Sequence, residues 1–454
     1  MRWWICAALL ALLVPGTGET NGRPPVTNGI YLRPESPSSL YVRSTFGLLV
    51  SHDDGCTFRW VCESAIGYGG EFDPKYAIAG DGTIFATTFE GLRVSRDGGC
   101  SWETATASLP ADDPGRIDDK WIDAIDISPT GEVWVATAET GQTNDVYRSK
   151  DNGVTFTPAN IGSDAIRMTA WWKSLRVARS EPSRIYVTGY RVAPTTQAFL
   201  FRTSDGGATW SEVPLAKTIQ FGSTPIIHVA AVDPTNPDHL LLTSLGANPP
   251  EGDRVYRSTD GGATFTEVVA TTDPVTGVVF RGAGTVLVAT VAGGTFESAA
   301  GGAPPYAPLG QAQPNAPDLV PPRLGCLAEK PDGELVGCGA NWQPDYMAVG
   351  RATSPLGWQK LFRFVELAGT LECPAGTTTQ LECDPQWPAL AQQFGVSGPP
   401  AVCGGAIDLP PAVDGPPLKT DPGGCCSAGT SATSSIISAL GAVSVILLRR
   451  RRRR

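Results

Sequence analysis

Aromatic rings stand beside carboxylates and guanidinium groups at several places in this chain: Tyr68, Glu71 and Phe72; Arg116, Asp118, Asp119 and Trp121; Trp171 and Trp172; Tyr190 and Arg191; Trp342, Asp345 and Tyr346. Rings with acids and arginines at their edges suit capture of a sugar or a peptide. The ring faces supply apolar area and the charged groups fix orientation. Glycoside hydrolysis would need two acids at a defined separation. Asp118, Asp119, Glu139 and Asp345 are available, but the sequence places no two of them at that separation. Metal chemistry is disfavoured. The chain has three His, and no cysteine spacing has the short clustered form of a zinc site. No metal and no cofactor is expected.

These residues must be positioned by a repeat, because five copies of one short pattern dominate the chain. They read Ser51-His-Asp53-Asp-Gly55-Cys-Thr57-Phe58, Ser95-Arg-Asp97-Gly-Gly99-Cys-Ser101-Trp102, Ser149-Lys-Asp151-Asn-Gly153-Val-Thr155-Phe156, Thr203-Ser-Asp205-Gly-Gly207-Ala-Thr209-Trp210 and Ser258-Thr-Asp260-Gly-Gly262-Ala-Thr264-Phe265. Each lies between two stretches that alternate large and polar residues, as half-buried strands do. The Asp can accept hydrogen bonds from backbone N–H groups of its own turn. The Gly can take positive φ, and the closing ring can fold inward as an anchor. A turn accounts for every residue of the pattern without a ligand.

The pattern resembles the Asp-box, or BNR repeat, of sialidases, sortilin-type receptors and related β-propellers. The resemblance implies that each box joins the third and fourth strands of a four-stranded blade, on the face away from the ligand. Asp53, Asp97, Asp151, Asp205 and Asp260 are then structural. Two further units carry worn turns. One is Gly284-Thr-Val286-Leu-Val288-Ala-Thr290 with Gly294-Thr-Phe296-Glu-Ser298; the other is Glu334-Leu-Val336-Gly-Cys338 with Ala348-Val-Gly350-Arg-Ala352. The reading is an all-β, seven-bladed propeller of four-stranded antiparallel blades over residues 29–366; six or eight units would also close. A lone blade cannot bury both faces of its sheet, and radial packing lets it.

In such a blade the ligand face is built from the loops between second and third strands and from the blade-to-blade connections. The binding candidates on it are Tyr68, Arg116, Tyr190, Arg191, Trp342, Asp345 and Tyr346. Each could instead cap the rim or pack between blades.

Both ends read as addresses. Residues 1–18 have one early positive charge, an apolar core and small residues before a cleavage point, the pattern of a secretory signal peptide. At the other end, Cys425 and Cys426 precede an apolar run from Thr430 to Leu448 and six arginines. Residues 425–454 resemble the MYXO-CTERM sorting domain of myxobacteria. That implies a transmembrane helix, processing by a dedicated membrane protease near Cys425 or Cys426, and attachment at the cell surface or outer membrane, through a lipid on the Cys. The same layout would serve as a permanent tail anchor. Residues 411–424 are a Pro/Gly-rich spacer. Removing Arg2 and the six tail arginines would lower the net charge of −10 by seven, to −17. A surface that acidic disfavours nucleic acid as a partner.

Eight cysteines remain between those ends: Cys56, Cys62, Cys100, Cys326, Cys338, Cys373, Cys383 and Cys403. An even number in an exported chain points to disulfides. The expected pairs are Cys326–Cys338 across a strand turn, Cys56–Cys62 across the first box and Cys373–Cys383 around a short loop, which leaves Cys100 for Cys403. Residues 367–410 form a small Cys-containing appendix, with Trp387, Leu390 and Phe394 on one side of a helical turn.

The sialidase resemblance implies an Arg cluster for a substrate carboxylate, a Tyr nucleophile with a Glu, and an Asp acid/base. Tyr31-Leu32-Arg33-Pro34 is the nearest match to the family's Arg-Ile-Pro motif and lacks the residue between Arg and Pro. The expected function is therefore a surface-displayed, non-catalytic binding or adhesion module for a glycan or a protein. The alternative is a secreted glycoside hydrolase, sialidase-like or of another Asp-box kind.

Overall fold

The computed structural model describes residues 23–399 apart from 71, 216–218, 220–225, 246–251, 283, 292–293, 310–322 and 343–344. The expected signal peptide, spacer and sorting signal, with Cys403, Cys425 and Cys426, lie outside the described residues, as does Glu71. Among the described residues no helix is long and apolar enough to cross a membrane. The run from Thr430 to Leu448 is not among them.

Among the described residues, twenty-eight strands form seven four-stranded antiparallel sheets, each made of four strands consecutive in the chain. This is the seven-bladed propeller. The first strands of the blades are Thr27–Arg33, Tyr76–Ile78, Ile122–Ile127, Trp171–Val177, Ile227–Val232, Val275–Arg281 and Cys326–Glu329. They pack side by side around the axis, and the last returns to the first. The apolar core lies between neighbouring blades. Trp134 of blade three, for example, clusters with Trp172, Phe199 and Phe201 of blade four, all buried.

The five repeats sit between third and fourth strands, and their geometry repeats. Each Asp Oδ1 accepts the hydroxyl two residues before it, at 2.6–2.9 Å. It also accepts the backbone N–H four residues on, at 2.8–2.9 Å. The Gly N–H returns to the opening hydroxyl at 2.8–3.1 Å. The two residues after each Asp both have positive φ: Asp54 and Gly55, Gly98 and Gly99, Asn152 and Gly153, Gly206 and Gly207, Gly261 and Gly262. The Gly also faces the preceding blade. A Cβ on Gly207 would stand 2.7 Å from the Trp134 ring, and one on Gly153 2.5 Å from Phe85. The turn is thus a joint between blades as well as a reversal.

The arginine just before several turns completes that joint. Arg148 donates to Gly206 O (3.3 Å), Arg202 to Gly261 O, and Arg257 to Gly301 O (2.9 Å). At the seam Arg351 reaches Asp54 of blade one (3.3 Å), and Lys330 reaches it at 2.9 Å.

Among the described residues no sheet mixes strands from the two ends of the chain. The seam is instead covered by the segment after the last blade. Ala368 N donates to Phe58 O, Trp60 N to Gly369 O and Leu371 N to Trp60 O, so residues 368–371 run parallel to the outer strand of blade one. The chain then crosses to blade two, where Thr379 N meets Cys100 O, and returns through helices Thr378–Cys383 and Trp387–Phe394. Phe394 packs on Phe46 and Phe364, with ring centroids 4.9 and 5.0 Å apart.

The disulfides follow this path and correct three of the four expected pairs. Cys326–Cys338 forms as expected, between partners in register on adjacent strands. Cys62 joins Cys383 and Cys100 joins Cys373. Neither Cys56–Cys62 nor Cys373–Cys383 nor Cys100–Cys403 therefore exists; Cys56 is disulfide-bonded, but not to Cys62. Local pairing fails because the appendix lies flat across blades one and two. Cys383 faces Cys62 of blade one and Cys373 faces Cys100 of blade two, and not each other.

Candidate functional site

The register fixes which end of the axis carries what. In blade three Val133 pairs with both Ile127 and Ser149, so the repeated turn lies at the level where the first strand ends. The starts of the first strands are at the opposite face. Those starts are mostly apolar, and isolated polar residues interrupt them: Lys75, Asp123, Lys173, His228 and Thr276.

Blades two, three and four bring three of these together. Lys75 Nζ donates to Asp123 Oδ1 (3.0 Å), to the Asp123 carbonyl (2.6 Å) and to the Lys173 carbonyl (3.1 Å). Lys173 Nζ takes the other carboxylate oxygen, and the Asp123 side chain is 2% exposed. One buried carboxylate thus serves two ammonium groups. Burial pushes the Lys75 ammonium below its ordinary value. Asp123 opposes that shift and Lys173 adds to it.

Beside this cluster the axial channel widens into a cavity of about 330 Å³. Lys75, Lys173, Ser174, Arg176, His228 and Thr276 supply its polar wall, and the apolar remainder includes Ile125, Val229, Val278 and Leu327. Ser174 Oγ accepts Val229 N (2.7 Å) and contacts Thr188 Oγ1 (2.6 Å), while Thr276 Oγ1 donates to Leu324 O (2.5 Å). These hydroxyls tie neighbouring blades. His228 is half-buried as a residue, yet its Nε2 atom is buried and makes no hydrogen bond with the protein. Burial, then Lys75 and Lys173, press this imidazole down to about 3, so it is neutral at pH 7.

An aromatic platform adjoins the lysines. Phe72, Phe89 and Trp121 pack in a triangle, with centroids 4.6, 5.9 and 4.8 Å apart. Lys173 Nζ lies 5.0 Å from the Trp121 centroid. Phe89 is 47% exposed, so the triangle opens to solvent at that ring. Trp171 packs against Tyr190 in a tilted pair at 5.2 Å, and burial with the nearby Asp123 charge raises the Tyr190 phenol.

The expected binding residues do not form one cluster. Tyr190 lies within reach of the Asp123 charge of the lysine cluster. Arg191 donates to Gln197 (2.7 Å) and covers the Phe199 ring. Arg116 makes a two-pronged pair with Asp118 (2.7 and 2.9 Å) and a third bond to Leu109 O. The Tyr68 hydroxyl is buried, which drives its phenol well upward. Trp342 packs edge-on against Phe364 at 5.8 Å. Asp345 accepts Ala340 N (2.9 Å), and burial raises its carboxyl. Tyr346, at φ 48°, lies under Arg363.

Of the acids available for catalysis, Glu139 accepts Trp121 N (3.2 Å) and Thr140 N (3.1 Å). With Asp118 and Asp345 it is engaged in holding loops. Arg33 ends its strand on the turn face and donates to Gly80 O (2.9 Å), away from the cavity. Lys75, Asp123, Lys173, His228 and Phe89 escaped sequence reasoning. The available signal was a lone polar residue near the start of each blade's first strand.

No protein-family model and no curated protein matches the chain. Solved structures do. PorZ, a bacterial surface component of the type-IX secretion system of Porphyromonas gingivalis, is similar with a TM-score of 0.51 at 17% identity, covering 72% of this chain and 46% of PorZ. A GH74 enzyme of Niastella koreensis has a TM-score of 0.42 at 14% identity, covering 73% of this chain and 65% of the enzyme. YCF48 bound to D1 peptide has 0.35 at 15%, covering 53% and 68%. The chain spans less than two thirds of PorZ and of the GH74 enzyme. At 17% identity the likeness to PorZ is one of fold alone.

Proposed function

We propose that the chain is a surface-displayed binding propeller, of the Asp-box kind its repeats resemble, that captures a glycan or protein ligand on the face opposite the repeated turns. The observation that carries this is the Phe72–Phe89–Trp121 platform, solvent-exposed at Phe89 and joined through Lys173 to the axial cavity. Exposed rings beside cationic groups bind sugars and peptides without covalent chemistry. Asp118, Glu139 and Asp345 are committed to backbone or arginine partners, which favours binding over hydrolysis. Export and attachment through residues 425–454 suit such a role, and the ligand partner would be met outside the cell.

The purified protein on glycan and peptide arrays tests the reading. Retention should be lost in Trp121→Ala and Phe89→Ala and kept in Trp342→Ala. Turnover of a fluorogenic sialoside or a neutral glucan, abolished by Glu139→Gln or Asp118→Asn, would replace it with a glycoside hydrolase.

A further inference from the structure

The charge around the axial cavity is unbalanced. Lys75, Lys173 and Arg176 bring three positive charges to it, and Asp123, held between the two lysines, brings one negative. His228 is neutral. The sequence as a whole is acidic, at −10, so the channel mouth is a positive spot on a negative molecule. Such a spot concentrates anions and repels cations, all the more in a low-dielectric recess.

Lys75 has all three ammonium hydrogens in hydrogen bonds. Lys173 has one bond, to Asp123, and Arg176 one, to the Leu175 carbonyl (3.0 Å). Both keep donors for a ligand. The His228 Nε2 atom is buried without a partner, which costs free energy unless something meets it. These groups line one cavity of about 330 Å³, at the small end of the range for small-molecule sites.

We propose that the axial cavity binds the anionic group of a small ligand between Lys173, Arg176 and His228. Nε2–H of the neutral imidazole donates to the anion, and the two cations neutralise it. A carboxylate and a phosphate share this chemistry. The inference rests on the reading of this face as the ligand face and goes beyond it by fixing the sign of the ligand's charge. The cavity takes the charged end, and the Trp121 platform takes whatever that end is attached to.

Calorimetric titration of the full chain with D-glucuronate, D-glucose 6-phosphate and D-glucose at low salt is the test. At least one of the two anions should bind roughly tenfold more tightly than glucose, and the preference should shrink with added salt. Tight binding of glucuronate alone selects a carboxylate, of the phosphate alone a phosphate, and of both a site that reads charge. The ring resonances of His228, one of three His, should move with the anion and not with glucose. His228→Phe and Arg176→Gln should each erase the preference. Arg176 is half-buried at the channel wall, so its variant keeps the test decisive if the His228 variant unfolds. Equal binding of anions and glucose, no anion binding, or a preference unchanged in Arg176→Gln overturns the site. If neither anion binds while array retention still depends on Trp121, the anion site falls and the ligand face stands.

Discussion

Arg148 of blade three places its Nη1 3.3 Å from the carbonyl of Gly206 in the turn of blade four. The same guanidinium pairs with Glu132 and lies 5.1 Å from the Trp134 centroid. Trp134 is in turn the ring against which Gly207 closes. Sheet, turn and next blade therefore meet at one side chain. Arg202 and Arg257 repeat the arrangement one and two blades on. Arg148→Met should keep the aliphatic packing and lose the bond across the joint. The expected loss is about 1 kcal/mol in denaturant unfolding, with ligand retention unchanged.

The turns predict a separation of stability from binding. Asp260→Ala removes the acceptor of Ser258, Thr264 N and the Thr264 hydroxyl. It should destabilise by about 1–2 kcal/mol and leave ligand affinity of the folded fraction intact. Full stability with lost binding would make the turn a functional site.

The disulfides should differ in weight. Cys62–Cys383 spans 321 residues and Cys326–Cys338 spans 12. A cross-link that closes a longer loop restricts the unfolded chain more. Paired Ser substitutions at Cys62 and Cys383 should cost within the usual range of about 2–5 kcal/mol, and more than the same change at Cys326 and Cys338. Thermal unfolding of the two double variants ranks them.

Acid should destabilise the fold in two stages. Burial holds His228 at about 3, and His52 and His239 are also lowered, by burial first. In the unfolded chain these groups take up protons below about pH 6.5. The unfolded state then binds more protons, and stability falls as pH falls. The turn carboxylates follow at lower pH. Their hydrogen bonds hold them low, with Asp205 at about 2 through Thr203 and Thr209. Stability should decline as pH falls below 6.5, by up to about 1.4 kcal/mol per pH unit from His228. His228→Phe should make the first stage shallower, with the shares of His52 and His239 remaining, and leave the second.

Blade number and turn chemistry were legible because the signal is local. Ser258, Asp260, Gly262 and Thr264 bond among themselves within seven residues of chain. The partner of Cys62 was not legible, since it depends on the course of a tail 321 residues away. The cationic cavity was hidden for a related reason. Lys75, Asp123, Lys173 and His228 come from four blades, one residue each, and nothing nearby in the chain marks them as neighbours. Trp342, Asp345 and Tyr346 stand out in the sequence because they are near neighbours in one loop. In the fold that loop braces blade seven and Phe364.

The path of the chain after the last blade sets where mechanical load enters the ring. A pull that reaches the helix Trp387–Phe394 from its C-terminal side meets Cys383 before Cys373. Those bonds divert it into blade one at Cys62 and blade two at Cys100. Tension is thereby shunted around the contact between the seventh and first blades, which no shared strand reinforces. The joint most easily sheared open is the one held out of the line of force.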